Sequence, residues 1–486
     1  MLQILINQKL QVCNKMIIMN KIIKLSLATS LVALSLNASD IDSLTKKIDS
    51  LQAQLNELKS SQADTTDELE DRIDGIETST LVDKIKFSFE FRTRVDSYDI
   101  KTADGKNGSD NNIWSNRLRL NMKSKISDDM KFNGRLTMYK NWADSNINQF
   151  SNADPMQARR PNDSSLFVER AYIDWVVLDG NIPVILTLGR QPSADGPSHQ
   201  FKDNTVRKST YSALSFDGAA DGVVATINLQ KVTDVNGMAI RLGYGKGYQD
   251  QSNQSYVGNP SGIKDSNVYG LFFDTGLGQD GSLLQVSAVS VTDVVSNVPG
   301  DNKNIGDMML YTAMLEFTNV VNSGLDIFAH YAISQAKPNG VTSNYNGMNV
   351  GFLQTNMTGG DKVSTDQLNG SAYWLGGRYT LPVASMNNPR IGLEYNHGDE
   401  NWFSFTQGSN DLTNKLATRG SAVEVYYIQP INRYAHIRLG AQMIDYDYTG
   451  SGYQIGSPMK VSDIGAMAPT QLDKLNNYYL LFNVAY

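Results

Sequence analysis

The titratable residues of this chain fall in two arrangements, and neither is one a covalent catalyst needs. Its four histidines, His199, His330, His397 and His436, are far apart, and none forms a ligand-spaced pair. No H-E-x-x-H helix motif and no G-x-S-x-G elbow occurs. The expected catalytic set is therefore none, as are the expected metal ligands and cofactors. Two acid-rich stretches, 104–112 and 300–307, offer oxygen ligands of the kind calcium takes, but neither follows the EF-hand order.

The charges can do electrostatic work instead. Ile85, Phe87, Phe89 and Phe91 alternate with Lys86, Ser88, Glu90 and Arg92, and Leu118, Leu120 and Met122 alternate with Arg117, Arg119, Asn121 and Lys123. The non-apolar face of the first three such segments carries Lys86, Arg92, Arg94, Arg117, Arg119, Lys123, Lys125, Lys131 and Arg135 against Glu90. If that face lines water, its field predicts a weak anion preference. The competing reading treats these as ordinary solvated charges, partly paired with loop acids, that give no useful selectivity. A second charged arrangement follows Arg190, where residues 191–211 carry Asp195, His199, Lys202, Asp203, Arg207 and Lys208. Arg190 shares the parity of Leu186 and Leu188, so either a bulge intervenes or the strand ends at Gly189.

Strands must position both sets. Period two persists beyond Asp83, with Leu325, Ile327, Ala329 and Tyr331, then Ile391, Leu393 and Tyr395, then Ile437, Leu439 and Ala441 on the apolar face. Strands are placed at 84–96, 114–126, 130–142, 166–178, 183–190, 212–229, 237–246, 266–276, 282–292, 307–318, 325–335, 371–381, 389–399, 419–429, 434–445 and 476–486. Residues 212–229 are taken as one long bulged strand. Two strands there would break the even count, and eighteen strands is the other count considered. The connections alternate between short turns, such as Ser127-Asp128-Asp129 and Asp179-Gly180-Asn181, and long loops. That asymmetry belongs to transmembrane β-barrels, with short periplasmic turns and long external loops. The fold class expected is an all-β transmembrane barrel of about sixteen antiparallel strands, wide enough for an aqueous channel. A soluble sandwich would alternate too, but with its polar face outermost.

The amino-terminal region reads differently. Lys21 and Lys24 precede an apolar run from Leu25 to Leu36, and Ala38 is a small residue suited to cleavage, so 1–38 is read as a non-native start plus a signal peptide. Met16 and Met19 point to translation beginning near Met19. The single cysteine, Cys13, lies in the discarded stretch, which leaves the mature chain without a thiol. In residues 39–83, Ile41, Leu44, Ile48, Leu51, Leu55 and Leu58 are spaced as successive a and d positions, and the stripe resumes at Leu69, Ile73 and Ile76 after a stutter. Such a narrow stripe wants partner helices, so the segment is read as a periplasmic coiled coil that organises a homo-oligomer. The alternative is a helix packed on its own domain. This segment holds twelve Asp and Glu against four Lys and Arg, which leaves 84–486 near charge balance with no basic face for nucleic acid.

Several short runs resemble known proteins. Val168-Glu169-Arg170-Ala171-Tyr172-Ile173-Asp174-Trp175, Leu188-Gly189-Arg190-Gln191-Pro192 and Phe216-Asp217-Gly218 resemble strand signatures of Gram-negative porins. Tyr478, Leu480, Phe482, Val484 and Tyr486, alternating to an aromatic end, resemble the closing strand and assembly signal of outer-membrane barrels. The whole is similar to a porin-like family with an amino-terminal coiled coil and, more distantly, to phosphate- and pyrophosphate-selective porins. The resemblance implies an outer-membrane diffusion channel, often trimeric, with no catalytic residues and no fixed solute. It also implies that the third long loop folds into the lumen, which makes Arg190, Lys202, Asp203, Arg207 and Lys208 the candidate constriction. The alternative function is a structural outer-membrane anchor or tether whose coil reaches through the periplasm, with peptidoglycan a candidate partner.

Overall fold

In lipid every backbone N–H and C=O must find a partner within the protein, so a sheet can cross only if it has no edge. The computed structural model of the chain meets this condition with sixteen antiparallel strands closed into a barrel. It describes residues 49–54, 84–142, 166–208, 211–250, 262–278, 281–358, 360–406, 411, 413–465 and 467–486. The strands are β1 (Ile85–Thr102), β2 (Asn107–Lys125), β3 (Met130–Asn141), β4 (Leu166–Leu178), β5 (Val184–Arg190), β6 (Phe216–Asp217), β7 (Asp221–Asn228), β8 (Ala239–Tyr248), β9 (Ser266–Gly276), β10 (Leu283–Val295), β11 (Asn304–Phe317), β12 (Leu325–Pro338), β13 (Ser343–Tyr345), β14 (Met348–Gly351), β15 (Gln354–Asn356), β16 (Leu368–Thr380), β17 (Arg390–Gly398), β18 (Phe405–Thr406), β19 (Gly420–Pro430), β20 (Ala435–Tyr446) and β21 (Leu472–Ala485). All but β6, β13, β14, β15 and β18 belong to the barrel. It closes where β1 pairs with β21, Phe91 opposite Val484 and Arg94 opposite Leu481. Phe89 and Tyr486 exchange backbone N–H···O bonds of 2.9 Å.

Each of the sixteen expected strands coincides with one barrel strand, and 166–178 and 266–276 do so with the same bounds. Two placements need correction. The pairing of β1 with β2 continues out to Lys101 opposite Asn107, well past the expected ends at 96 and 114. Outside lipid a ladder needs only its backbone bonds, so the apolar alternation stops before the strands do. The long bulged strand expected at 212–229 is a wall strand only over Asp221–Asn228. Residues 212–220 turn inward. Ala213 and Leu214 are fully buried, and β6 pairs in parallel with β18. Alternation cannot tell a segment packed inside the lumen from one in the wall.

The apolar face points outward. On β21, Tyr478, Leu480 and Phe482 are exposed, while Asn477, Tyr479 and Leu481 between them are buried on the lumen side. A soluble sandwich would have the opposite arrangement. Each such outward Leu or Phe contributes roughly 1.5–3 kcal/mol once lipid covers it. Tyr486 sits with Tyr434 and Phe89 on the outer face, at ring separations of 5.4 and 6.0 Å. Aromatic pairs at this height suit a membrane interface.

Residues 49–54 are helical and exposed, and Leu51 is the one seam residue they include. The other seam residues, the signal segment and the stutter lie outside the described residues.

Candidate functional site in the barrel lumen

The site begins where β5 turns into the loop. Gly189 has φ +117°, and a Cβ there would collide with the Ala171 carbonyl, so only glycine fits. The Gln191 side-chain amide then donates to the carbonyls of Thr187, Gly189 and Gly222 at 3.2, 3.1 and 2.8 Å, which ties down the end of the strand. The chain next enters the lumen, where the Asp195 N–H donates to Asp217 at 2.9 Å. A short helix, His199–Asp203, follows. Phe201 stacks on Phe328 at 5.8 Å, in an apolar cluster with Trp374, Trp402 and Leu214. Arg378 on the wall donates to the Phe201 carbonyl at 2.9 Å and pairs with Asp326 at 2.6 Å. Apolar packing thus seats the loop inside a polar barrel.

Three ionic clusters join this loop to the wall. In the first, Asp195 faces Arg119, Arg135 and Arg170 at 2.9, 3.0 and 3.6 Å. Glu169 pairs with Arg119 at 3.0 Å and Arg135 at 3.4 Å, and Glu90 pairs with Arg117. Glu169 and Arg170 are neighbours in sequence, yet both are buried in the lumen, because a bulge at Arg135/Leu136 leaves Glu169 without an opposite residue. A bulge re-aims a side chain in this way.

The second cluster centres on Asp411, from the loop between β17 and β19. It pairs with Arg94 at 2.7 Å, with Lys202 and, more loosely, with Arg438. Lys202 also reaches Glu424 at 3.3 Å, Lys415 bridges Glu394 and Glu424, and Arg438 holds Asp203 at 2.9 Å. The Tyr479 ring lies 4.2 Å from the Arg94 guanidinium and 5.3 Å from that of Arg438, and its hydroxyl donates to Glu424 at 2.6 Å. Burial disfavours the charges on Lys202 and Asp411, but their opposite neighbours outweigh it. Asp411 and Glu424 hold the Lys202 ammonium above the usual lysine pKa, and Lys202, Arg94 and Arg438 hold Asp411 well below the usual carboxylate range.

The third cluster centres on Glu316. It takes the Ser198 hydroxyl at 2.5 Å, the Gln200 amide at 2.9 Å and Arg207 at 2.6 Å. Because Ser198 donates to Glu316, it accepts from Nε2 of His330 at 3.0 Å, and Ser212 in turn donates to Nδ1 at 2.7 Å. In a nucleophile–base–acid relay the carboxylate orients the imidazole. Here it holds the serine, so the chain of bonds works as a latch on the loop.

The candidate residues separate by position. Arg92, Arg94, Arg117, Arg119 and Arg135 are buried on the lumen wall, and from the loop Lys202 reaches Asp411 and Glu424, Asp203 reaches Arg438, Arg207 reaches Glu316 and Lys208 reaches Glu90. Lys86, Lys123, Lys125 and Lys131 stay exposed toward the short-turn rim, where Lys125 pairs with Asp128. Arg190 is corrected from the constriction to the outer parity of β5. It opposes Asp221, binds it at 2.8 Å, and is 37% exposed. The acid-rich stretches use carboxylates locally: Asp104 takes Thr102 and Lys106, and Asp301 takes the Asn344 N–H and Lys303. Among the described residues no group of three His, Cys, Asp or Glu is placed to hold a metal ion. Sequence reasoning missed Glu169, Glu316, Glu394, Asp411, Lys415, Glu424, Arg438 and Tyr479. Glu394 and Arg438 fall between the apolar positions of the expected strands 389–399 and 434–445, on their polar faces. Asp411 carried no signal, since it lies in a loop with no pattern.

The fold has known likenesses. OprB of Pseudomonas putida is 14% identical, with 85% of this chain and 96% of that chain covered and a TM-score of 0.49. OmpF of Salmonella typhi, in a complex with daunomycin, is 12% identical over 82% and 98%, with a TM-score of 0.45. OmpT of Vibrio cholerae in its trimer form is 12% identical over 83% and 99%, with a TM-score of 0.39. No curated protein matches the sequence. A family model described as a protein of unknown function, DUF3373, matches residues 107–486, and the chain belongs to that family.

Proposed function

We propose that the protein is an outer-membrane porin, a passive diffusion channel for small hydrophilic solutes or ions with weak anion preference. The observation that carries this is a closed sixteen-strand barrel, apolar outside and with buried charges inside, into which a charged loop turns. A barrel of this strand number leaves an aqueous interior, and charges at a constriction set selectivity. The cations of β1 to β4 outnumber the carboxylates of the same wall, which supports an anion preference. Asp195, Asp203 and Asp411 neutralise much of that excess, which keeps the preference weak. The remaining parts of the reading are a cleaved signal peptide, a coiled coil in the periplasm and a homotrimer in lipid.

The test is single-channel current of detergent-solubilised protein in a planar bilayer, with the reversal potential taken across a KCl gradient. Discrete steps with a chloride-leaning reversal are expected. Cation preference would remove the basic wall from the reading and leave the channel. One observation favours the anchor reading: Trp374, Trp402, Phe201 and Leu214 pack tightly within the lumen. Folded protein that conducts nothing would make the barrel an anchor.

A further inference from the structure

Between the inward loop and the wall of β5, β7 and β8 lies a cavity of about 330 Å³. Thr187, Arg207, Lys208, Tyr211, Thr226 and Arg241 line it, and among the described residues no carboxylate does. The acids that balance these cations lie behind them. Glu316 takes Arg207 at 2.6 Å, Glu90 takes Lys208 at 3.3 Å, and Asp274 takes Nε of Arg241 at 2.7 Å. Three cationic ends therefore converge on one space from the loop and the wall.

The balance is least complete at Lys208. An ammonium has three donors, and among the described residues its one bond to a carboxylate is the long one to Glu90. Burial pulls its pKa below the usual lysine value, and Glu90 and Asp195 do not restore it. An anion in the cavity would supply the missing counter-charge. Arg207 spends Nε and Nη2 on Glu316 and Gly281, and among the described residues its Nη1 has no further partner. The Thr226 hydroxyl adds a neutral donor. Gln191 also lines the cavity, with its amide spent on backbone carbonyls, and the apolar part of the lining is Pro192, Val224 and the Tyr211 ring, which lies 5.5 Å from the Arg241 guanidinium. A bare inorganic anion would leave that surface unused, whereas a short carbon chain would cover it. The volume is at the small end for ligand pockets.

We propose that this cavity binds a small organic carboxylate, with its charge on Lys208, Arg207 and Arg241 and its carbon skeleton against Pro192 and Val224. It rests on the channel reading only in that solute must reach the lumen. The probe is succinate, titrated calorimetrically into the full-length detergent-solubilised protein at constant ionic strength, with inorganic phosphate and chloride as comparisons. Saturable succinate binding is expected, tighter than phosphate, with chloride a poor competitor. Lys208→Gln should weaken it at least about tenfold, as loss of a charged hydrogen bond does. Thr226→Val, on the wall and outside every ion pair, should weaken it by a smaller factor. Both variants are checked for heat-modifiable gel mobility. Absent binding, or binding unchanged in both folded variants, overturns the proposal. Phosphate binding as tightly as succinate overturns the organic ligand. Protein that conducts in a bilayer yet ignores succinate loses this site alone, and the channel reading stands.

Discussion

Asp195 is the residue on which the first cluster turns, since Arg119, Arg135 and Arg170 all face its carboxylate. Asp195→Asn leaves those guanidiniums with Glu169 and, for Arg119, with Glu90 at 3.7 Å. The KCl reversal potential should then move further toward chloride, and the loop should become easier to cleave with protease. Breaking a buried ionic contact typically costs about 3–5 kcal/mol, and a wet lumen lowers that. The Lys202–Asp411 pair has a defined pH signature. Asp411 is held below its ordinary pKa, so its contribution is full above about pH 4 and fades as pH falls through the lower folded value. Lys202 is held above its ordinary pKa, so its contribution is full below about pH 10 and fades as pH rises through the higher folded value. Conductance should therefore be flat between those limits as far as this clasp governs it. A step near neutrality that persists in Asp411→Asn would assign the control to another group.

At the scale of elements, the loop between β5 and β7 and the loop between β17 and β19 meet inside the barrel through the buried pair Lys202 and Asp411. Replacing residues 193–216 with a short Gly-Ser linker should raise single-channel conductance several-fold while the barrel keeps its heat-modifiable mobility. An unchanged conductance would mean that this loop does not limit the passage. Tyr479 belongs to β21, but its ring lies flat across Gly440 of β20, where a Cβ would run into it. Gly440→Leu should push the ring off Arg94 and Arg438 and cost about 1–3 kcal/mol, as overpacking does. It would show as a lower temperature for the gel-mobility transition. Most strands were legible because the apolar faces of β1, β2, β12, β17 and β20 repeat at period two. The segment at 212–220 was not, because Ala213 and Leu214 are apolar for a packing reason unrelated to the wall.

For the molecule as a whole, the outward exposure of residues such as Leu271, Leu393, Leu439 and Leu480 requires detergent or lipid. Protein that stays monodisperse in aqueous buffer alone would contradict the membrane reading. Deleting residues 40–80 should weaken the oligomer, seen by cross-linking, and leave the barrel folded. An oligomer that persists unchanged would locate its contacts on the barrel wall.

The alternation of short and long connections gave the barrel class and its outward apolar face, and the even strand count was assumed at 212–229. Local periodicity by itself determined which side chains share a face, because alternate side chains of a strand point to opposite sides. It also marked Arg92, Arg117, Arg119 and Arg135 as one polar face. Pairing was beyond its reach. Asp195 meets Arg119 across 76 positions and Lys202 meets Asp411 across 209, and no local pattern records such distances. Tertiary structure alone decided that the basic wall is largely neutralised, that the parity of Arg190 with Leu186 and Leu188 holds to the end of β5, and that three cations converge on a cavity with no acid among its described lining residues. Charge type is written in the chain, but its compensation depends on which loops the closed barrel brings together.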